Sequence, residues 1–504
     1  MTRPASSRSA KKWVTLQIIF EQIFWVLLFA VQAPLLGPRP FGLIALATVV
    51  VGFCEGVLIA VGTDTLISIR EIEDLHYATL TTVNIVVSAV LAALLFVGAD
   101  SLASLFHDAE LAAVLRWMAF LPLISSFWVA PASATKRLLL FKPTAVRSIV
   151  SLAVSGAAGL ALALAGAGVW ALVWQALLQR LVGAVALWMA VPLRFRLAWS
   201  GRHLAELRRI ALPLLLGRSM SWFSGQSPRF ILGLFLTTSD IGLYNLGTRF
   251  KDLLVQVAIV PGTLVARVDF RRFAPKSRDL DEGVSQLLLQ LGVVSFPLCI
   301  GGAVVMPTLF GAWLDSRWQA GIVSAQMLLL SCIPCVTLYC ATAVLLSQNR
   351  RNAEAVITTV LAIATAMATL AAARLGLNTA SACISLTVFA LLPVAVFLMR
   401  HQCGIRIRTV IGSQLPALAS AVLMGLIVWV IEIRLRTEFW SPALLLLILV
   451  VSGALVYAAS ICVLLRSFVT SQIRHFSSSF RRAGKDRARG DQVIAERASA
   501  ARNP

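Results

Sequence analysis

The sequence predicts an all-α, polytopic membrane protein of about 14 transmembrane helices, built as two six-helix lobes with a pseudo-twofold repeat plus two extra C-terminal helices. Three observations predict it. Of 504 residues, 59% are apolar and 13% charged, with a mean hydropathy of +0.85, whereas a soluble domain carries about a quarter charged residues. Apolar runs long enough to cross a hydrocarbon core, which takes roughly 20 residues per helix, recur along nearly the whole chain. A short motif also returns at an offset of 200 residues. The runs lie at 13–36, 41–69, 78–98, 110–134, 145–166, 168–191, 210–236, 240–265, 284–308, 322–347, 353–373, 378–399, 412–432 and 441–466.

The formal net charge of +21 would suggest nucleic acid if it were spread over one face. It is not. Threading the runs through a membrane leaves Arg39, Arg317, Arg374, Arg434 and Arg436 in the loops of one side, and most of the other Lys and Arg in loops and termini of the opposite side. By the positive-inside rule both termini are expected in the cytoplasm, and no nucleic acid partner is expected. The eight cysteines sit almost entirely inside apolar runs. Cys332 and Cys335 have redox-motif spacing but lie in a span, so all eight read as small buried hydrophobes. No metal site and no cofactor are expected. The first apolar segment is too long for a signal-peptide core and is taken as a retained span.

The expected organisation begins with a cytoplasmic N-terminus, 1–12, followed by a first lobe, 13–191. Span one carries Gln17, Glu21, Gln22 and Gln32, with Gln17 and Glu21 on one face. Gly37, Pro38 and Pro40 then form a tight outer turn before span two, which buries Glu55 and brings Asp64 near the inner interface. The inner loop from Lys136 to Lys142 is basic and interrupted by apolar residues, which suits anionic lipids. Span six places Arg180 near its centre with Gln175 and Gln179 one turn apart. A basic connection, 192–209, leads amphipathically into the second lobe, 210–400. Here the repeat appears: Phe41-Gly42-Leu43-Ile44-Ala45-Leu46 and Ile241-Gly242-Leu243-Tyr244-Asn245-Leu246 share Gly, Leu and Leu, each after a short outer turn. An offset of six helices makes the lobes parallel repeats. Helices thirteen and fourteen, 401–466, are Ala, Leu and Val rich, and a basic, disordered cytoplasmic tail, 467–504, is expected to follow.

The stretch from Arg209 to Gln256 concentrates charge inside apolar helices, where ionisable groups are costly enough to imply function. Arg218 and Arg229 are eleven residues apart, hence about 20° apart in direction on a helix. Trp222 and Gly225 complete that face. Span eight offers a stripe of Asn245, Arg249, Asp252 and Gln256. Arginine's planar fork suits phosphate and aromatic rings stack on sugars, so this face fits a transporter of a lipid-pyrophosphate-linked sugar. The substrate-binding candidates are Arg180, Arg218, Trp222, Arg229, Asn245 and Arg249. Competing structural roles are that Arg218 snorkels to the interface and that Asp252 neutralises Arg249. Glu21 and Glu55, with Asp252, are candidates for coupling to a proton or sodium gradient, since desolvation can bring a buried carboxyl to titrate near neutrality; pairing with a buried Arg is the alternative. Pro228 is expected to break the seventh helix.

LLGPRPFGLIALATVVVGF (35–53), KRLLLFK (136–142), GVWALVWQ (168–175) and IGLYNLGTRF (241–250) together resemble the polysaccharide transport family of lipid-linked repeat-unit flippases. That family shares a superfamily with multidrug and toxin extruders and the lipid II flippase. The likeness covers roughly 13–400. It implies two six-helix lobes around a central cavity, alternating access, and transfer of an undecaprenyl-pyrophosphate-linked oligosaccharide across the bacterial inner membrane for exopolysaccharide, capsule or O-antigen synthesis. Polysaccharide polymerase and chain-length machinery would be partners, and no enzyme activity is implied. By position, Gly37, Pro38, Phe41 and Gly42 match the outer-turn motif, Tyr244, Asn245 and Arg249 the eighth-helix motif, and Arg137, Phe141 and Lys142 the inner loop. One departure is Ser224-Gly225-Gln226-Ser227-Pro228-Arg229, where relatives commonly read Ser-Arg-Asn-x-Asp-Asn. The alternatives are a drug/cation antiporter on the same fold and a membrane-embedded polysaccharide polymerase or ligase, which would need larger outer loops.

Overall fold

A computed structural model of the chain describes residues 7–69, 71–138, 140–191, 196–435 and 441–464, and every regular element among them is helical. The 467–504 tail, residues 192–195 of the connection and Arg436 lie outside the described residues. The first lobe comprises α1 (Ser7–Leu36), α2 (Pro38–Ser68), α3 (Asp74–Leu105), a broken fourth span of α4 (Glu110–Met118), α5 (Phe120–Ser126) and α6 (Val129–Arg137), then α7 (Phe141–Leu164) and α8 (Val169–Ala190). The second comprises α9 (Gly201–Phe235), α10 (Thr238–Leu254) continued by α11 (Val260–Asp269), α12 (Arg278–Trp313), α13 (Ile322–Leu330) with α14 (Cys332–Ser347), α15 (Arg351–Ala372), and α16 (Leu377–Ala390) with α17 (Leu392–Leu398). α18 (Ile407–Leu435) and α19 (Pro442–Leu464) follow. Without water to satisfy backbone groups, an apolar chain in lipid closes its hydrogen bonds within helices.

The described part of each expected apolar run is largely helical. Among the described residues twelve helices are long and apolar enough to cross a membrane, and a thirteenth follows if the fourth span, bent by 41° between Ser126 and Val129, is taken as one. The seventh run is not among these. α9 is 35 residues long, yet Arg208, Arg209, Arg218 and Arg229 interrupt its apolar character. α9 also begins at Gly201, inside the expected 192–209 connection, and Pro228 does not break it. The carbonyl of Ser224, which proline deprives of its donor, accepts instead from the Ser227 hydroxyl at 3.3 Å. Between α10 and α11 a π-helical turn, Val255–Ile259, widens the eighth span just before Pro261. Such turns form where a proline or an inserted group disturbs the regular ladder.

The two copies of the repeat meet each other. At the rim opposite the basic loops, the first turns of α2 and α10 cross so closely that a Cβ on Gly42 would lie 1.8 Å from the Thr238 carbonyl oxygen. One on Gly242 would lie 1.9 Å from the Pro38 carbonyl oxygen. Only glycine permits this approach. Gly37, with φ of 76°, makes the turn into α2, and Thr237 and Asp240 form a reciprocal capping box that starts α10. The seam extends sideways: Trp313 donates to the Ala30 carbonyl at 2.9 Å, Arg317 to Pro34 at 3.2 Å and Trp318 to Ala33 at 3.3 Å, while Phe41 packs on Phe29 and Trp318. At the basic rim Arg137 donates to the carbonyls of Leu66 (2.9 Å), Ile67 (3.3 Å) and Ile69 (2.6 Å), closing the C-terminal end of α2 as a cation does well.

Gly42→Ala or Gly242→Ala therefore forces backbone apart and should destabilise the protein by about 1–3 kcal/mol, the range for overpacking. Gly98→Ala, with nothing within 4 Å of its Cβ position, serves as control. Thermal melting in detergent checks this; equal melting of all three variants would refute the crossing.

Candidate functional site

A chamber lies between the lobes, with the α2–α10 crossing towards one rim and the Arg137 contacts at the other. Its larger part, a cavity of about 350 Å³, is bordered by Gln22, Trp25 and Phe29 of α1, Thr48 of α2, Arg229 of α9, Asn245, Arg249 and Asp252 of α10, Gln256 of the π-turn and Trp313 of α12. A smaller compartment of about 130 Å³ adjoins it at Trp25 and is lined by Glu21, Trp128, Arg147, Ser148, Gln179 and Arg180. A third of about 80 Å³ holds Thr48, Glu55, Gln179 and Arg180. Trp25, Thr48 and Arg180 are thus shared walls.

In the second lobe, Arg249 lies over the rings of Trp25 at 5.4 Å and Phe29 at 5.9 Å. Cation–π contact of this kind orients a guanidinium without neutralising it. Asp252 is not its counter-ion: among the described residues no carboxylate lies within ion-pair distance of Arg249 or Arg229. Arg229 donates to Gln226 Oε1 at 2.9 Å and to Thr248 Oγ1 at 3.1 Å, two neutral acceptors that hold the guanidinium and leave its charge available. Asn245 and Gln256 add amides on the same wall.

The first lobe is organised differently. Glu55, 6% exposed, receives a hydrogen bond from Ser125 at 2.7 Å and forms a close ion pair with Arg180 Nε. Ser125 lies in α5, just before the bend in the fourth span. Glu21 accepts from Gln17 at 3.0 Å, and Gln17 also donates to Ser148 at 3.1 Å. Arg147 was not among the sequence candidates because it sits close to a basic loop and reads as interfacial. It stacks on Trp128 at 4.3 Å, donates to Ser148 at 3.0 Å, and its buried Nε has no hydrogen-bond partner among the described residues. Trp25, equally unremarked in sequence among apolar neighbours, is the ring common to both compartments.

The structure therefore brings together Arg180, Arg229, Asn245, Arg249, Asp252, Glu21 and Glu55 around one chamber. Arg218 and Trp222 lie elsewhere on the seam. Arg218 pairs with Asp64 of α2 at 2.5 Å, and the Trp222 ring packs on Gly52 and Gly56 of α2. The near-collinear spacing of Arg218, Trp222 and Arg229 is real, but α9 runs along α2 and only its Arg229 end reaches the chamber. The first lobe also contains Arg147 and Arg180, so its interior is not acidic alone.

Among the described residues, a helical bundle of two repeated lobes followed by α18 and α19, with a polar chamber at the lobe interface, defines a multi-pass membrane transporter fold. It is similar to the lipid II flippase MurJ in an inward closed conformation, with a TM-score of 0.71 and 13% identity over 92% of this chain and 100% of that one. It is also similar to an inward-facing multidrug resistance MATE family transporter of the MOP superfamily, with a TM-score of 0.54 and 14% identity over 81% and 98%. Residues 31–323 match the family described as polysaccharide biosynthesis protein, and the chain belongs to that family. Curated relatives include the succinoglycan biosynthesis transport protein ExoT of Rhizobium meliloti, 28% identical over 56% of this chain and 55% of that protein. The lipopolysaccharide biosynthesis protein WzxC of Escherichia coli is 22% identical over 64% and 65%. The matched region thus spans less than two thirds of either relative. The resemblance read from 35–53, 136–142, 168–175 and 241–250 is borne out.

Glu55 and Arg180 give a direct test of the first-lobe geometry. Removing one partner of a buried pair costs roughly 3–5 kcal/mol; Arg180 is more than a third exposed, so screening reduces the expected loss for Glu55→Gln to about 1–3 kcal/mol. The double variant Glu55→Gln/Arg180→Gln should recover most of that loss in a double-mutant melting cycle. Additive losses would show that the two do not interact.

Proposed function

We propose that this protein flips a prenyl-pyrophosphate-linked oligosaccharide repeat unit across the bacterial inner membrane by alternating access. The observation that carries this reading is the pair Arg229 and Arg249, facing one chamber with no carboxylate partner among the described residues. Two guanidinium groups with no carboxylate at ion-pair distance are stabilised by an anion, and pyrophosphate offers oxygens for bidentate donation from both. Trp25 and Trp313 supply ring faces for sugar, Asn245 and Gln256 supply hydrogen bonds to hydroxyls, and the prenyl tail stays in lipid beside the lobes. The names of the relatives, in succinoglycan and lipopolysaccharide biosynthesis, agree with a sugar-bearing substrate. A drug/cation antiporter would need the opposite charge at this wall. In this reading the basic rim faces the cytoplasm, as the Lys and Arg distribution expects, and anionic lipids contact it. Polymerase and chain-length proteins would act on the delivered unit.

Arg249→Ala and Arg229→Ala should each lower transfer of a labelled prenyl-pyrophosphate sugar in proteoliposomes about 10- to 100-fold, the loss of one charge-assisted hydrogen-bonded contact, while the protein still inserts. Unimpaired transfer in both single variants and the double variant would overturn the reading. For coupling, we propose Glu21 over Glu55, because Arg180 already engages Glu55. Glu21→Gln should abolish stimulation of transfer by an imposed proton or sodium gradient; a retained gradient response would exclude Glu21.

A further inference from the structure

Away from the chamber, at the basic rim, two histidines and two glutamates interlock across the lobe seam. His76 lies in the first turn of α3 and His203 in the first turn of α9. Both are buried, at 3% and 9% exposed, and their rings meet edge to face with centroids 4.2 Å apart. Each reaches a carboxylate of the other lobe. His76 Nε2 lies 3.3 Å from Glu206 Oε2, and His203 Nε2 lies 3.3 Å from Glu73 Oε2, both pairs separated by 130 residues of chain. Glu73-x-x-His76 and His203-x-x-Glu206 run in opposite orders and pair crosswise.

We infer that Glu73, His76 and His203, with Glu206 beside them, form a site for a divalent transition metal of the zinc class that clasps the two lobes at this rim. One ligand atom from each of the first three lies within 4.8 Å of the others. A tetrahedral ion with bonds of about 2.0–2.2 Å holds neighbouring ligand atoms roughly 3.3 Å apart, which is the separation already present between His203 Nε2 and Glu73 Oε2, while the His76 ligand atom lies within 4.8 Å of both. Imidazole nitrogens select zinc, cobalt, nickel or copper over magnesium and calcium, and the Glu73 carboxylate, with Glu206 next to His76, offers negative charge for a dication beside buried rings. Ser200 Oγ stands 2.7 Å from His203 Nδ1, so a metal at Nε2 leaves the Nδ1–H donating to the hydroxyl, the outer contact that orients a ligand histidine. On His76, Nδ1 accepts from the Glu73 backbone N–H at 3.1 Å. Metal at Nε2 places a proton on that Nδ1 and turns the Glu73 N–H to water at the exposed start of the helix. His203 is therefore the stronger anchor.

The transport consequence rests on the flippase reading. An ion joining α3 to α9 holds this rim shut and slows any cycle that must open it. The binding itself does not depend on that reading.

The test uses the full chain in detergent after chelator treatment, titrated with Co²⁺ and then Zn²⁺. The wild type should bind one Co²⁺ per chain with the visible absorption of a tetrahedral ion, lose it to Zn²⁺, and melt at a higher temperature with Zn²⁺. His76→Gln/His203→Gln, which retains all eight cysteines, should weaken binding more than about tenfold, since even outer-contact changes alter metal affinity by 10- to 100-fold. If the double variant is unstable, His203→Gln alone, matched in melting temperature to the wild type, makes the same comparison. Absence of tetrahedral absorption, or equal binding by the variants, overturns the proposal. In proteoliposomes Zn²⁺ should slow transfer by the wild type but not by the variant. A wild type that transfers nothing even without metal defeats the flippase reading, and the Co²⁺ titration still decides the site.

Discussion

The crossing of α2 and α10 at Gly42 and Gly242 is the constraint on which the rest of the molecule depends. Two helix starts whose backbones touch define an axis between the lobes, and the side chains below that axis are placed by how the helices diverge from it. Arg249 lies two turns beyond Gly242 on α10, and Thr48 lies beyond Gly42 on α2. The chamber is the space that opens as the helices separate. Because both partners at the crossing are backbone, no side-chain rearrangement can loosen it gradually. The crossing is therefore set by backbone shape.

The opposite rim is held by side chains instead. Arg218 on Asp64, Trp222 on two glycines, and the crosswise His–Glu pairs join α9 to α2 and α3. At that end charged side chains carry most of the contact, whereas the other end is set mainly by the close approach of two backbones.

Inside the chamber the lobes also differ. In the first, Arg180 meets Glu55, while Glu21 and Arg147 line one compartment without an ion pair between them. The second leaves Arg229 and Arg249 to neutral acceptors and aromatic rings. Arg147 was hidden in sequence because proximity to Lys142 makes it look interfacial; the bend of the fourth span, which brings Trp128 beneath it, cannot be read from local periodicity.

Taken by itself, the sequence determined the helical class, the position of nearly every helical segment and the existence of two repeats, because each depends on local quantities: apolar length, loop charge and short motifs. It also singled out Arg229 and Arg249 through the cost of charge in an apolar helix, and Asn245 through its place on the same polar stripe as Arg249. Tertiary structure alone decided which of these share a space. Arg218 and Trp222 have the right helical phase but face α2, since α9 runs unbroken through Pro228 along the seam. The partners of Glu55, the role of Arg147 and the meeting of His76 with His203 join residues far apart in the chain, and only the packing of the two lobes sets such distances.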